Sequence, residues 1–333
     1  MAITRVAVIG CGRRFTSAIA PALAAWGVGA VLVVDPDPQA RGQAARYLGQ
    51  RRVACQETLT AGALANANPD GVIIASPSGL HFDQVCISLA CGLPTFVEKP
   101  ASCTADALKS LYDRGGNLLY AAEQRIHRRD LNLARSLIKS GSLGHVKRIV
   151  YHDTIAPSPE FEYSWRNRPE LASGGILLDL GYHTVGAIQW LLDRGSGHFA
   201  VHSARLAHGD LRVESRAAVA CTWDGTEIEL DLALDSLQPR ESLAVTGSRG
   251  RIIIERRRSA GDVSSFLLET PGHTFRQTIP LGQEYDVKSL SDFIFQVRSP
   301  QEKRLGGHIT TLELIGKMYQ SADGQASELL SCI

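Results

Sequence analysis

The sequence predicts an α/β fold whose first half is a doubly wound parallel sheet. Three observations carry this prediction. Short apolar runs alternate with helical stretches from the third residue onward, as expected for strands covered on both faces. The first run ends in a glycine turn, Gly10-Cys11-Gly12, that leads into an alanine-rich helix. The second run ends in Asp35, 23 residues after Gly12.

Taken in order, Ile3 to Gly10 reads as a buried strand, Ser17 to Trp26 as a helix and AVLVVD as the second strand. Strand, glycine turn, helix, strand and terminal acid make up the dinucleotide-binding βαβ unit. Gly10 permits the tight turn, and Gly12 lets the backbone approach a pyrophosphate. Amides around Cys11, Arg13 and Arg14 open the helix, whose positive end favours phosphate. Asp35 can accept hydrogen bonds from both adenosine ribose hydroxyls. A 2′-phosphate there would meet a carboxylate, and no arginine follows until Arg41, so NAD is expected rather than NADP. Phe15 stands at the third glycine position, and its bulk predicts a longer loop before the helix begins.

The alternation continues. Leu59 to Asn66 reads as a helix, Asp70 to Pro77 as a strand ending in Ser76-Pro77, and His81 to Cys91 as a helix. Another strand ends at Glu98, Lys99 and Pro100; helix Thr104 to Arg114 and strand Asn117 to Glu123 follow. Ligands in such sheets sit beyond the carboxyl ends of the strands, which places Ser76, Pro77, Glu98 and Lys99 on the binding rim.

Bulk properties narrow the classes. The 333 residues suffice for two domains, and 44% hydrophobic with 21% charged residues is a globular composition. A net charge of +1 leaves no footprint for nucleic acid or an anionic membrane surface. The run Arg256, Arg257, Arg258 is expected to be the solvated end of a strand. The uncharged run Ala18 to Val34 is interrupted by Pro21, Gly27 and Gly29 and reads as helix plus strand rather than a membrane span. No export signal is expected, and seven cysteines without a two-residue-spaced pair predict reduced thiols in a cytoplasmic protein and no metal site.

Past the middle lies GGILLDLGYHTVGAIQW, Gly174 to Trp190. Its chemically active groups, Asp179 and His183, are four residues apart and share one helix face. The pair suits a general base and its partner; it equally suits a buried histidine with a satisfied hydrogen bond.

Four blocks together resemble the glucose–fructose oxidoreductase, inositol dehydrogenase and rhizopine-catabolism-protein group of oxidoreductases: GCG with Asp35, ASPSGLH (Ala75 to His81), VEKP (Val97 to Pro100) and WRNRPELASGGILLDLGYH (Trp165 to His183). EYDVKSLSDFIFQV and the helix around Thr311 to Ser321 resemble the group's tail. The resemblance implies an N-terminal Rossmann domain over residues 1–123. A C-terminal α+β domain over 124–333 follows, with an open, mainly antiparallel sheet that forms the interface of a homodimer or homotetramer. The last helices are expected to be able to pack back on the Rossmann domain. Lys147 to Asp153, Arg212 to Trp223, Thr226 to Leu234, Ser242 to Thr246 and Arg251 to Glu255 read as strands of that sheet, with a hairpin signal at Asp224-Gly225.

By resemblance, His81 joins the cofactor-binding rim, and Lys99 contacts the nicotinamide ribose and the reacting hydroxyl. His183 takes or gives the proton, Asp179 contacts substrate, and Trp165 and Arg166 contribute to the cleft. Ser173, Gly186, Glu123 and Gln124 depart from the usual residues of the group. The implied activity is NAD(H)-dependent oxidation or reduction of a secondary alcohol or ketone on a small polyhydroxylated molecule: a sugar, sugar derivative or cyclitol. A glycosidase using bound NAD for transient sugar oxidation is the nearest alternative. A sensing protein on the same scaffold is disfavoured by the joint presence of Lys99, Asp179 and His183.

Overall fold

The apolar run Arg5–Ile9 forms β1, the central strand of a six-stranded parallel sheet. The computed structural model describes residues 3–48, 53–158, 160–195, 197–234, 237, 239–257, 263–281, 284–296 and 301–322. Backbone contacts divide the chain into one unit of Met1–Gln124 with Asp286–Leu305 and another of Arg125–Tyr285 with Gly306–Ile333.

In the first unit β1 is followed by α1 (Ala20–Ala25), β2 (Gly29–Val34), α2 (Pro38–Tyr47), β3 (Ala54–Gln56), α3 (Ala61–Ala67), β4 (Gly71–Ile74), α4 (His81–Ala90), β5 (Thr95–Val97), α5 (Ala105–Gly115) and β6 (Leu119–Ala121). The strand order β3-β2-β1-β4-β5-β6 reverses direction between β1 and β4, the switch point of a Rossmann fold. The longer loop expected around Phe15 does not form. Helix begins at Arg13, and a π-helical segment over Phe15–Ile19 precedes α1. Phe15 is buried in the same core as Ile19 and Leu23, so its bulk is packed within a locally widened helix. Helix Glu284–Ile294 contributes Leu290, Phe293 and Ile294 to that core, with Phe293 tilted against Phe96 and Tyr120 at 5.9 and 5.3 Å.

The second unit holds an eight-stranded sheet. Its strands are β7 (Val146–Thr154), β8 (Phe199–Ala207), β9 (Arg216–Trp223), β10 (Thr226–Ala233), β11 (Arg240–Gly247), β12 (Arg251–Arg257), β13 (Val263–Thr270) and β14 (His273–Pro280), ordered β14-β13-β12-β11-β7-β10-β9-β8. Among the described strand pairs of this sheet, only β7–β10 is parallel. Asp224 and Gly225 both take positive φ, 44° and 77°, as a two-residue hairpin turn matched to strand twist requires. The strand expected from Arg212 starts only at Arg216; the bend before it turns Glu214 fully inward. Arg256 corrects a second expectation. It is not solvated but largely covered, 3.9 Å from the Glu241 carboxylate, whereas Arg257 is exposed and Arg258 lies outside the described residues.

Helices α6 (Arg129–Lys139), α7 (Pro169–Ala172) and α8 (Ile176–Leu192) complete the elements used below. Helix α8 packs closely on the sheet: a Cβ at Gly181 would lie 3.2 Å from Leu232 of β10. A buried charge network ties the chain ahead of α6 to the same sheet. Arg128 Nη1 donates to both carboxylate oxygens of Glu241 of β11 at 2.6 and 2.8 Å, and Nη2 and Nε donate to the two oxygens of Asp130 at 2.6 and 3.1 Å. Arg125 donates to the Tyr151 hydroxyl at 2.8 Å and pairs with Asp153. Burial by itself would lower both guanidinium pKa values, but the surrounding carboxylates hold both groups firmly charged.

Candidate functional site

The glycine turn of the first unit is built by close backbone approach. Gly10 has φ +86°, and a Cβ there would lie 2.4 Å from the Ser76 amide nitrogen, so the carboxyl ends of β1 and β4 meet only over glycine. At Gly12 a Cβ would meet nothing within 4 Å, and the residue is exposed. Its backbone is therefore open to a ligand immediately before the helix that begins at Arg13. Asp35 lies just past β2; one carboxylate oxygen accepts the Cys11 N–H at 2.8 Å and the other accepts the Asp37 N–H at 2.9 Å. The acid expected to hold a ribose thus also straps the glycine turn. Burial, then Asp35, pushes the Cys11 thiol up to about 12, which leaves it neutral. Arg41 donates to the backbone carbonyls of Asp35 and Pro36, bringing a guanidinium beside the acid.

Arg13 is exposed, whereas the Arg14 side chain runs sideways along the rim. Its Nε donates to Glu98 at 2.6 Å, and its two terminal nitrogens reach the Asp286 carboxylate and carbonyl at 2.6 and 2.8 Å. Glu98, itself buried, also accepts from Gln124 Nε2 at 3.0 Å and from the Lys99 amide at 3.3 Å. The Glu98-Lys99 turn is thereby held from three sides, with Lys99 partly exposed and the Lys99–Pro100 peptide cis.

Ser76 donates to Gln84 Oε1 at 2.5 Å, beside the partly exposed Pro77. His81 is buried, and its ring nitrogens lie 2.7 Å from the Pro100 carbonyl and 2.9 Å from the Ser76 carbonyl. The ring joins the loops after β4 and β5. Burial pushes its pKa below the usual 6.5, against the opposing pull of the two carbonyls.

In the second unit, every residue from Gly174 to Ile188 is buried except Asp179 and His183. They are one turn apart on α8, so a single face of an otherwise covered helix is open. Asp179 accepts from Arg166 Nε at 3.3 Å, and the Arg166 guanidinium lies 4.5 Å over the Trp165 ring. Trp165, Arg166 and Asp179 therefore form one cluster, with His183 one helical turn beyond Asp179. Ser173 takes φ 58°, a left-handed backbone conformation that glycine adopts without strain.

The start of α8 is fixed by a residue that sequence reasoning passed over. Glu214 Oε1 accepts the Gly175 and Leu177 amides at 2.9 and 3.2 Å and the Tyr319 hydroxyl at 2.5 Å, while the Glu214 carbonyl accepts the Ile176 amide at 2.9 Å. A carboxylate at a helix N-terminus satisfies donors left over by the helix itself. No local signal identifies it, because Glu214 stands 39 residues beyond Gly175. Among the described residues no three His, Cys, Asp or Glu side chains gather as a metal would require, and no helix is long and apolar enough to cross a membrane.

Comparison with known proteins follows the same division. Residues 4–115 match the family described as an oxidoreductase family with NAD-binding Rossmann fold, and residues 131–253 match the GFO/IDH/MocA C-terminal domain. A putative UDP-kanosamine synthase oxidoreductase subunit of Amycolatopsis mediterranei is 30% identical over 49% of this chain and 44% of its own length. A myo-inositol dehydrogenase of Streptomyces leeuwenhoekii is 30% identical over 57% of this chain and 56% of its own. The chain spans about half the length of these curated relatives. In overall fold it is similar to a 3-ketoreductase from Actinomadura kijaniata solved with NADP and TDP-benzene, with TM-score 0.82, 18% identity and coverage of 96% and 98% of the two chains.

Proposed function

The chain belongs to the GFO/IDH/MocA family of NAD-binding oxidoreductases, and from that premise we propose that it transfers a hydride between nicotinamide and a secondary alcohol or ketone of a sugar, sugar derivative or cyclitol. The observation that carries the reading is the opening of α8 at Asp179 and His183 alone within a buried stretch. A structural histidine needs no such opening; a proton carrier does. The relatives support the substrate class, since they act on a cyclitol or belong to sugar-nucleotide chemistry by name.

When bound, NAD supplies the hydride chemistry. The exposed Gly12 backbone and the helix start at Arg13 suit the pyrophosphate, and Asp35 suits the adenosine ribose. In the proposed mechanism the His183 imidazole takes the hydroxyl proton in oxidation and returns it in reduction, a role suited to histidine as a side chain. The Lys99 ammonium stabilises negative charge on the reacting oxygen. Asp179, braced by Arg166, accepts hydrogen bonds from substrate hydroxyls, with Trp165 as an apolar wall. NAD is favoured by Asp35, while Arg41 beside it leaves room for NADP. The proposal includes a cytoplasmic homodimer or homotetramer joined through the eight-stranded sheet.

His183→Ala should lower turnover by about 10²–10⁴-fold while NADH affinity is kept. Unchanged turnover would remove His183 from this role. A polyol and sugar panel followed at the nicotinamide absorbance should yield net NADH; glycoside cleavage without it would favour transient oxidation with retained NAD.

A further inference from the structure

Lys99, the amine proposed to face the reacting oxygen, follows directly on a buried acid. Glu98 is 7% exposed, and a carboxylate taken out of water needs a cation or several donors close by. The cation nearest in sequence is Lys99 itself. Glu98 takes a different one: Arg14 Nε donates to it at 2.6 Å, from 84 positions earlier in the chain. Gln124 Nε2 donates at 3.0 Å and the Lys99 backbone amide at 3.3 Å. Among the described residues, Arg14 is the one cation paired with the Glu98 carboxylate.

Arg14 is itself fixed. Its terminal nitrogens donate to the Asp286 carboxylate at 2.6 Å and to the Asp286 carbonyl at 2.8 Å, so all three guanidinium nitrogens are engaged and the plane cannot rotate. Asp286 lies on helix Glu284–Ile294, which is seated in the core of the first unit by Leu290, Phe293 and Ile294. The acid is thus held inward, while Lys99, the next residue, is partly exposed on the rim. With its charge answered by Arg14, Glu98 exerts less pull on the ammonium of its chain neighbour. Arg14 also stands in the first turn of the helix that opens at Arg13. One side chain therefore joins the glycine turn to the backbone that carries Lys99.

We propose that Arg14 is a positioning residue for Lys99: braced by Asp286, it holds the Glu98 carboxylate and so keeps that acid from capturing the Lys99 ammonium, which then serves the reacting oxygen. The importance of the placement rests on the role given to Lys99 above. The arrangement gives the Arg14 side chain a task separate from that of the amides that open the helix.

The test reads the amine directly. The full chain, Arg14→Met and Arg14→Met/Glu98→Gln are each labelled with trace acetic anhydride. Acetylation of Lys99 is measured by peptide mass spectrometry relative to Lys139, a surface lysine paired with Asp193 at 2.8 Å. An ammonium paired with a carboxylate stays protonated and reacts slowly, so Lys99 should label about tenfold more slowly in Arg14→Met. Removing the carboxylate as well should bring the rate back to within about twofold of the parent. An unchanged Lys99 rate in Arg14→Met would overturn the proposal. Equal slowing in the double variant would overturn it too, because a general disturbance of the rim is not reversed by deleting one charge. If Arg14→Met does not fold, Arg14→Gln replaces it; this variant keeps a donor without the charge and should slow Lys99 by about threefold. No slowing there would be equally fatal. Labelling needs neither cofactor nor substrate. A chain that labels as expected yet forms no NADH with any member of the polyol and sugar panel would overturn the hydride-transfer reading and not the placement of Lys99 by Arg14.

Discussion

Gly175→Ala puts the anchoring of α8 to a direct test. A Cβ at Gly175 would lie 2.2 Å from the Glu214 carbonyl oxygen and 2.6 Å from its carboxyl group. Neither can swing aside cheaply. The carbonyl is backbone and accepts the Ile176 amide, and the carboxylate accepts the Gly175 and Leu177 amides and the Tyr319 hydroxyl. Relief requires the helix start and the 214 segment to separate. Overpacking costs about 1–3 kcal/mol, and weakening a cap adds about 1 kcal/mol, giving about 3 kcal/mol. For a unit of this size that lowers the melting temperature by about 6–12 °C, read by calorimetry. Gly174→Ala is the internal control. Its Cβ would meet the Tyr319 hydroxyl at 2.8 Å and the Leu178 Cβ at 2.9 Å but no backbone oxygen as close as 2.2 Å, so its loss should be smaller. A Gly175→Ala protein melting within about 2 °C of the parent, or a larger loss for Gly174→Ala, would refute the anchoring role of Glu214.

Arg128→Met removes the nearest cation from the buried Glu241 and Asp130 carboxylates and should cost about 3–5 kcal/mol in denaturant unfolding; a loss below about 1 kcal/mol would mean the network is hydrated. His81 should make stability pH-dependent. Its pKa is lowered in the folded state, so the unfolded chain binds the extra proton; the stabilisation is present above pH 6.5 and is lost as pH falls toward the folded value. Melting temperatures from pH 7.5 to 5.5 should therefore fall more steeply for the parent than for His81→Asn, and parallel curves would contradict this. Asp35→Asn should weaken NADH binding about tenfold through loss of a charged hydrogen-bond acceptor. With Arg41 nearby, NADPH binding should weaken less, and titration of both cofactors gives the ratio.

Much of the first unit was legible because its signals are local. A buried parallel strand is a short apolar run, and the glycine turn and Asp35 fall within one βαβ unit. The Phe15 correction shows where this fails. Residue size marked an obstacle at the third glycine position, but whether a loop lengthens or a helix widens depends on the core waiting behind it. In the second unit β8, β13 and β14 were not anticipated. The burial of β14 shows almost no alternation, being exposed at seven of its eight residues, so its sequence offers no period-two signal.

The candidate site divides along the same line. Sequence by itself determined the residue types and their helical or strand-end positions: Gly10 and Gly12 on a turn, Lys99 after a strand, Asp179 and His183 one turn apart. Spacing along one element is set by backbone geometry and is therefore readable from the chain. Tertiary structure alone decided the partners. It placed Glu214 under the start of α8, turned Arg14 from the glycine turn to Glu98 and Asp286, and put Arg41 beside Asp35. These pairings join residues tens to hundreds of positions apart, and hydrogen bonding of buried polar groups is satisfied in space rather than along the sequence.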